Sequence, residues 1–237
     1  MRIALFGYGA MGRLVEAQAR AAGHEIARVF TSKDAGSDAE NLATQLAGID
    51  AAIDFSIAEA VVTNVEACAR AGVCVVVGTT GWRERSEQVR RAIEEHEGAL
   101  VYGANFSVGV NLFYRVVAHA AELFSRVEAY APFVEEAHHA RKRDAPSGTA
   151  LVIRDLLAAR YGDAIPVSST RAGHIPGTHR VGFDSAADQV TLTHTARSRE
   201  GFAAGALLAA RWIRVRRGVY EFSEVIEEIL TEKERER

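Results

Sequence analysis

Two cysteines, two methionines, two tryptophans and four prolines are all that this 237-residue chain carries of those residue types. Each shortage removes a class of explanation. Cys68 and Cys74 lie in alanine- and valine-rich surroundings without metal-ligand spacing, so neither a disulfide framework nor a cysteine-held metal organises the fold. Reduced thiols of this kind suit a cytoplasmic protein. Proline is scarce and no low-complexity tract is present, as in an ordinary globular protein. No apolar run approaches the roughly 18 residues of a membrane span, and residues 1–7 have one basic side chain and too short an apolar run for a signal peptide. A cytoplasmic location is therefore expected. With 28 basic against 31 acidic residues, net charge −3, there is no excess of one sign to draw nucleic acid or a membrane surface, and neither partner is expected.

What is present is the composition of an ordinary soluble enzyme, 48% hydrophobic and 25% charged. The length suits one compact α/β unit with a smaller one appended. Ile3-Ala4-Leu5-Phe6 runs into Gly7-Tyr8-Gly9-Ala10-Met11-Gly12, after which Leu14, Val15 and Ala19 recur at helical spacing. In such a strand, turn and helix, Gly7 permits the tight turn, Gly9 lets a pyrophosphate approach the backbone, and Gly12 lets the helix pack close to the strand. The phosphates would lie at the helix N-terminus, beside Ala10 and Met11.

The next apolar stretch, Glu25–Phe30, ends in Thr31-Ser32-Lys33 and not in the acid that grips an NAD ribose. Ser32 and Lys33 can accommodate a 2′-phosphate, so NADPH, NADH or both are expected and strict NAD use is not. A solvated Lys33 is the alternative. Further apolar runs at residues 51–56, 73–77 and 99–102 alternate with helical patterns, as in a parallel sheet buried on both faces. Ligands of such sheets bind beyond the carboxyl ends of the strands. Phe55-Ser56, Gly78-Thr79-Thr80 and Ala104-Asn105-Phe106 are thus candidates for the nicotinamide side, with ordinary turns as the plainer reading of each.

In the second half a helical pattern follows Asn111, and a strand is expected at residues 127–134. Residues 136–150 then concentrate Glu136, His138, His139, Arg141, Lys142 and Arg143 before Asp144-Ala145-Pro146-Ser147-Gly148-Thr149. Ser147 is a suitable N-cap for a helix whose apolar face is Leu151, Val152, Leu156 and Leu157. Gly148 and Thr149 would offer backbone N–H groups and a hydroxyl to a carboxylate, and Lys142 could pair with a second one. For the histidines three readings stand together: an imidazole serving as general acid or substrate contact, a solvated basic loop, and a zinc site using Glu135, Glu136, His138 and His139. The last is disfavoured because adjacent residues of an extended chain point to opposite faces. Alternating residues 180–183 and 190–194, with a polar turn over residues 185–188, read as an antiparallel hairpin that packs against another subunit. A small-residue helix at 202–210, a helix at 219–230 and a solvated tail at 231–237 complete the chain.

Taken together, Gly7-x-Gly9-x-Met11-Gly12, Asp54-Phe55-Ser56, Gly78-Thr79-Thr80-Gly81, residues 104–111 and Glu136-x-His138-His139-x-x-Lys142-x-Asp144-Ala145-Pro146-Ser147-Gly148-Thr149-Ala150 resemble the 4-hydroxy-tetrahydrodipicolinate reductase family. The last motif is highly specific. The resemblance implies a Rossmann-type doubly wound parallel sheet, at residues 1–107 plus 200–237, that binds the dinucleotide. It implies a second α+β domain, residues 108–199, built on an open mixed sheet for substrate binding and oligomerisation. It further implies hydride transfer from NADPH or NADH to a small cyclic dicarboxylate with loss of water, and a homotetramer. On matching positions His138 is the proton donor, Lys142 its cationic partner, and His139, Lys142, Gly148 and Thr149 contact the substrate. No metal is implied. A dinucleotide sensor is the non-enzymatic alternative, but the only basic cluster that could serve as a docking module, residues 211–217, reads as a helix face and turn.

Overall fold

The computed structural model describes every residue except 35, 163, 236 and 237, and all side chains but those of residues 233–235. The chain divides into two compact units, Met1–Val108 with Arg199–Arg237, and Gly109–Ser198.

The first unit is built on six strands, numbered along the chain: β1 (Arg2–Phe6), β2 (Glu25–Phe30), β3 (Ala51–Asp54), β4 (Cys74–Val77), β5 (Ala99–Tyr102) and β10 (Gly218–Glu221). They lie in the order β10-β5-β4-β3-β1-β2, all parallel. Because successive side chains alternate between faces, each strand feeds two cores. Ile3, Leu5, Ile53, Val76 and Val101 face α1 (Ala10–Ala21), α7 (Glu200–Ile213) and α8 (Phe222–Arg235). Ala4, Phe6, Ala52, Val75, Val77 and Leu100 face α2 (Ala39–Thr44), α3 (Val61–Arg70) and α4 (Ser86–Glu95). This is the three-layer, doubly wound arrangement expected from the uninterrupted apolar runs. Cys68 and Cys74 are free and buried in it, and burial pushes both thiols up, that of Cys74 to about 11.

One expectation fails at the C-terminus. Residues 219–230 do not form a single helix; Gly218–Glu221 is an edge strand registered on β5, and α8 starts at Phe222 and runs through the stretch expected to be a solvated tail as far as Arg235. Residues 236 and 237 lie outside the described residues. Four residues carry too little periodicity to announce a strand, and pairing with a partner more than a hundred positions earlier decides it.

The second unit has a four-stranded mixed sheet, β7-β6-β8-β9, from β6 (Ala131–His138), β7 (Val167–Arg171), β8 (Thr178–Asp184) and β9 (Gln189–Thr195). The expected strand at residues 127–134 is shifted: residues 127–130 lie outside any strand, Val127 is half exposed, and β6 extends to His138. Glu136 and His138 therefore stand on a strand, on the same face as Val134. The hairpin of β8 and β9 is as expected, its turn closed by Ser185 N–H donating to the Asp188 carbonyl at 2.9 Å. Helices α5 (Val108–Phe124) and α6 (Gly148–Tyr161) bring Phe113, Val117, Ile153 and Leu157 onto Val134, Val181 and Phe183. On the other face Ser168, Thr170, Thr191, Thr193 and Thr195 are exposed, and Phe133 lies over Gly182, where a Cβ would collide with its ring.

Candidate active site

In the first unit the glycine turn joins β1 to α1. Gly7 has φ +88°, and a Cβ there would stand 2.5 Å from the Phe55 carbonyl oxygen, so both backbone hand and space demand glycine. Gly12 is buried against the Gly7 carbonyl, and a Cβ on Gly9 would meet nothing within 4 Å. Gly9 is the N-cap of α1 and supplies no side-chain cap, and the first turn holds no acidic residue. A helix start with no acidic side chain in its first turn favours an anion through its backbone N–H groups and dipole. Ala10 is exposed and Met11 half-buried against the core.

Beyond β2, Ser32 and Lys33 lie exposed in a short 3-10 turn. An acid does reach this strand end, contrary to the reading of Thr31-Ser32-Lys33 alone. The Asp34 carboxylate turns back to accept the Thr31 N–H at 2.7 Å and pairs with Arg28 at 3.4 Å.

The ends of β3 and β4 are tied together by a residue to which the sequence assigned no role. Asp54 is wholly buried, and its carboxylate accepts the Ser56 N–H at 2.8 Å, the Ser56 hydroxyl at 2.7 Å, Asn64 Nδ2 at 2.8 Å and the Thr79 hydroxyl at 2.8 Å. Burial raises its pKa, and these donors oppose the rise. An acid closing the otherwise apolar Ala51-Ala52-Ile53 run was the available signal. Thr79 thus turns its hydroxyl inward, while Thr80 and Ala104 are exposed. Gly78 has no room for a Cβ beside the Phe55 ring. Asn105 accepts the Ser107 N–H at 2.9 Å, and Phe106 is buried against Phe222.

In the second unit the conspicuous feature is a buried polar cluster. Glu136, side chain fully enclosed, contacts His138 Nδ1 and is gripped by Arg171 with Nη2 to Oε1 at 2.6 Å and Nη1 to Oε2 at 3.0 Å. Although burial opposes ionisation, Arg171, Ser169 and His138 together hold the Glu136 pKa down to about 2. Ser147 caps α6 by accepting the Ala150 N–H at 3.2 Å, and it shares a 3.1 Å hydrogen bond with His179 Nε2. His179 lies with its ring 5.1 Å from that of His138, and burial lowers its pKa to about 4. Glu136, His138 and His179 place ligand atoms within 4.8 Å of one another. The guanidinium already engages both Glu136 oxygens, so the donor set suits an ion-paired imidazole better than a cation. Arg171 and His179, 35 and 43 positions beyond Glu136, were missed because β6 pairs with both β7 and β8 only in the folded sheet.

Around this cluster the other expected residues take distinct places. Lys142 Nζ pairs with Asp144 Oδ1 at 2.9 Å and not with His138. The Asp144 carboxylate also accepts the Gly148 N–H, and Lys142 is the main reason its pKa is lowered. It occupies, in effect, the position of an anion at the start of α6. Thr149 bonds the Tyr114 hydroxyl. His139 is half-buried, with Nδ1 unpartnered among the described residues. The Ala145–Pro146 peptide is cis.

Two family models match, described as dihydrodipicolinate reductase N-terminus over residues 1–106 and C-terminus over residues 109–226. A 4-hydroxy-tetrahydrodipicolinate reductase of Christiangramia forsetii is 35% identical, over 97% of this chain and 99% of its own length. One from Archaeoglobus fulgidus is 38% identical, over 90% of this chain and 94% of its own. Among solved structures, a dipicolinate-bound dihydrodipicolinate reductase from Paenisporosarcina sp. TG-14 superposes with TM-score 0.77 at 20% identity, over 93% of this chain and 97% of that one. An amine dehydrogenase from Mycobacterium smegmatis gives TM-score 0.62 at 12% identity, over 94% and 95%. At those identities the structures speak for the fold alone, whereas the family models and relatives span both units with their motifs. This chain is a member of the dihydrodipicolinate reductase family, an oxidoreductase family whose first unit binds a nicotinamide cofactor.

Proposed function

We propose that the protein reduces 4-hydroxy-tetrahydrodipicolinate to tetrahydrodipicolinate, with release of water, in diaminopimelate and lysine biosynthesis. The observation that carries this reading is the full-length likeness to 4-hydroxy-tetrahydrodipicolinate reductases. One hydride and one proton enter the substrate and one water leaves. When bound, the nicotinamide supplies the hydride.

The chain's own groups do the rest. The residue 7–12 turn and the α1 N-terminus would hold the pyrophosphate. Gly78, Thr80, Ala104 and Asn105 would border the nicotinamide, while Thr79 and Phe106 support those loops from within. Lys142 and the Gly148 and Thr149 N–H groups would take one substrate carboxylate, which displaces Asp144 from the place it now holds. His139 would face the second. His138 would deliver the proton from Nε2; burial lowers its pKa, and an arriving dicarboxylate restores its protonation by opposite charge.

Both NADPH and NADH are expected to serve. Lys33 provides a cation for a 2′-phosphate, and the Asp34 carboxylate, partly neutralised by Arg28, is near enough to the strand end to favour a free 2′-hydroxyl. The test is oxidation of each cofactor with enzymatically generated substrate. Lys33→Ala should raise KM for NADPH by about tenfold, the loss of one charge-assisted contact, with little effect on NADH. Oxidation of neither cofactor would count against the enzymatic reading and for a dinucleotide sensor.

The exposed, threonine-rich face of the second unit's sheet supports a homotetramer assembled through these sheets. Light scattering should then return four times 25.6 kDa; a monomer mass would refute it.

A further inference from the structure

Glu136 is an enclosed carboxylate on a strand, and a buried ion pair is a poor device for mere stability. Replacing such a pair by apolar side chains of similar volume is often neutral or stabilising, because withdrawing two charges from water costs several kcal/mol. Here the arrangement is nevertheless elaborate. Arg171 not only grips both Glu136 oxygens but is itself fixed, donating from Nη2 to the Asp144 carbonyl at 2.6 Å and from Nη1 to the Thr170 carbonyl at 2.8 Å. The Ser147 N–H donates to Oε1 at 3.3 Å. What remains to be served by Oε2 is His138 Nδ1.

We propose that Glu136, held by Arg171, is the positioning residue for His138: it keeps the proton on Nδ1, presents Nε2 for proton delivery and stabilises the imidazolium from which that proton comes. The inference rests on the proposed reductase reaction for its purpose, but its geometry stands independently. An ionised carboxylate only accepts, so the imidazole nitrogen it meets must carry hydrogen. The opposite nitrogen lies beside Gly177, where a Cβ would stand 3.1 Å from Nε2, so the glycine keeps a side chain from crowding that nitrogen. A carboxylate behind an imidazole is the general means of fixing both its tautomer and its orientation.

The charges around His138 give the carboxylate a second task. Lys142 from the following loop and Arg171 from β7 disfavour the imidazolium, as does burial, which is the largest effect; His179 faces it from β8. Lys142 is itself partly offset by Asp144. Glu136 is the group that favours the charged imidazole in this setting.

Glu136→Gln keeps the shape and an acceptor while removing the charge. A donor that must be protonated loses activity as pH rises through its pKa. Without the anion that pKa falls, so the alkaline limb of kcat should move to lower pH, with kcat at neutral pH down by about 100-fold, the lower end of what a general acid contributes. KM for the substrate should change little. Arg171→Lys, which retains a cation on the carboxylate, should keep the alkaline limb near its original place. Nitrogen-15 NMR of the ligand-free protein reads the tautomer without any turnover. Neutral His138 should carry its proton on Nδ1, and the imidazole should titrate at lower pH in Glu136→Gln. A proton on Nε2 in the unsubstituted protein, or an unmoved titration and pH limb in a folded Glu136→Gln variant, would overturn the proposal. Because NMR needs no substrate, that result is separate from a failure of the cofactor-oxidation assay.

Discussion

Replacing His138 with Gln is expected to lower kcat by about 10²- to 10⁴-fold, the range contributed by a positioned general acid, while KM for the dicarboxylate changes far less. The reason lies in the division of tasks within the second unit. Lys142 and the first turn of α6 make up the proposed anion site, engaged by Asp144 in the structure, and neither depends on the imidazole for its place. In the proposed reaction His138 contributes a transferable proton, which a glutamine of similar size cannot supply. Only an interaction made in the transition state lowers kcat without altering ground-state binding. Steady-state kinetics with either cofactor decides the matter. Turnover within a few-fold of the parent would remove His138 from the reaction, and a rise in KM alone would make it a binding residue.

The second large effect is expected at a residue with no chemistry. Gly205 lies inside α7, and a Cβ there would penetrate the carbonyl oxygen of Phe106, with the Phe222 ring 3.1 Å away. The obstacle is backbone, so no rotamer change relieves it. Either α7 withdraws from the first unit's core or the loop after β5 moves. Gly205→Ala is usually a favourable change in a helix, by about 1 kcal/mol. Here overpacking should outweigh it and destabilise by about 3 kcal/mol, the upper end for inserted methyl groups. For a chain of this size that corresponds to a thermal midpoint lower by roughly 6–12 °C. Since Asn105 and Phe106 belong to the loop proposed to border the nicotinamide, KM for the cofactor should also rise. Calorimetry and cofactor titration test both parts, and an unchanged midpoint would show that the loop yields at no cost.

The contrast between these two residues marks how far the linear chain could be read. The β1, glycine turn and α1 sequence was legible because each step is local: an apolar run, a turn with a glycine at φ +88°, and helical periodicity. The same holds for Ser147, whose side chain reaches only three residues to cap α6, and for the hairpin of β8 and β9. Strands β7 and β10 were not legible. Val167–Arg171 is largely polar and Gly218–Glu221 is only four residues long, so neither bears the alternating pattern of a half-buried strand.

For the site, residue types within short motifs pointed to an anion-binding helix start and to an imidazole, while leaving a solvated basic loop open on composition alone. Folding takes Glu136 and His138 out of any solvated loop and places them on a strand. Pairing of β6 with β7 and β8 brings Arg171 and His179 to Glu136 and His138, and hydrophobic packing of α5 and α6 encloses the carboxylate. Local sequence thus specified the glycine turn, the helix caps and the apolar strands, since their energetics involve neighbours within a few residues. Thr79 beside Asp54, Arg171 beside Glu136 and Phe106 beside Gly205 come from segments distant in the chain, and their register and burial arise only when those segments share one core.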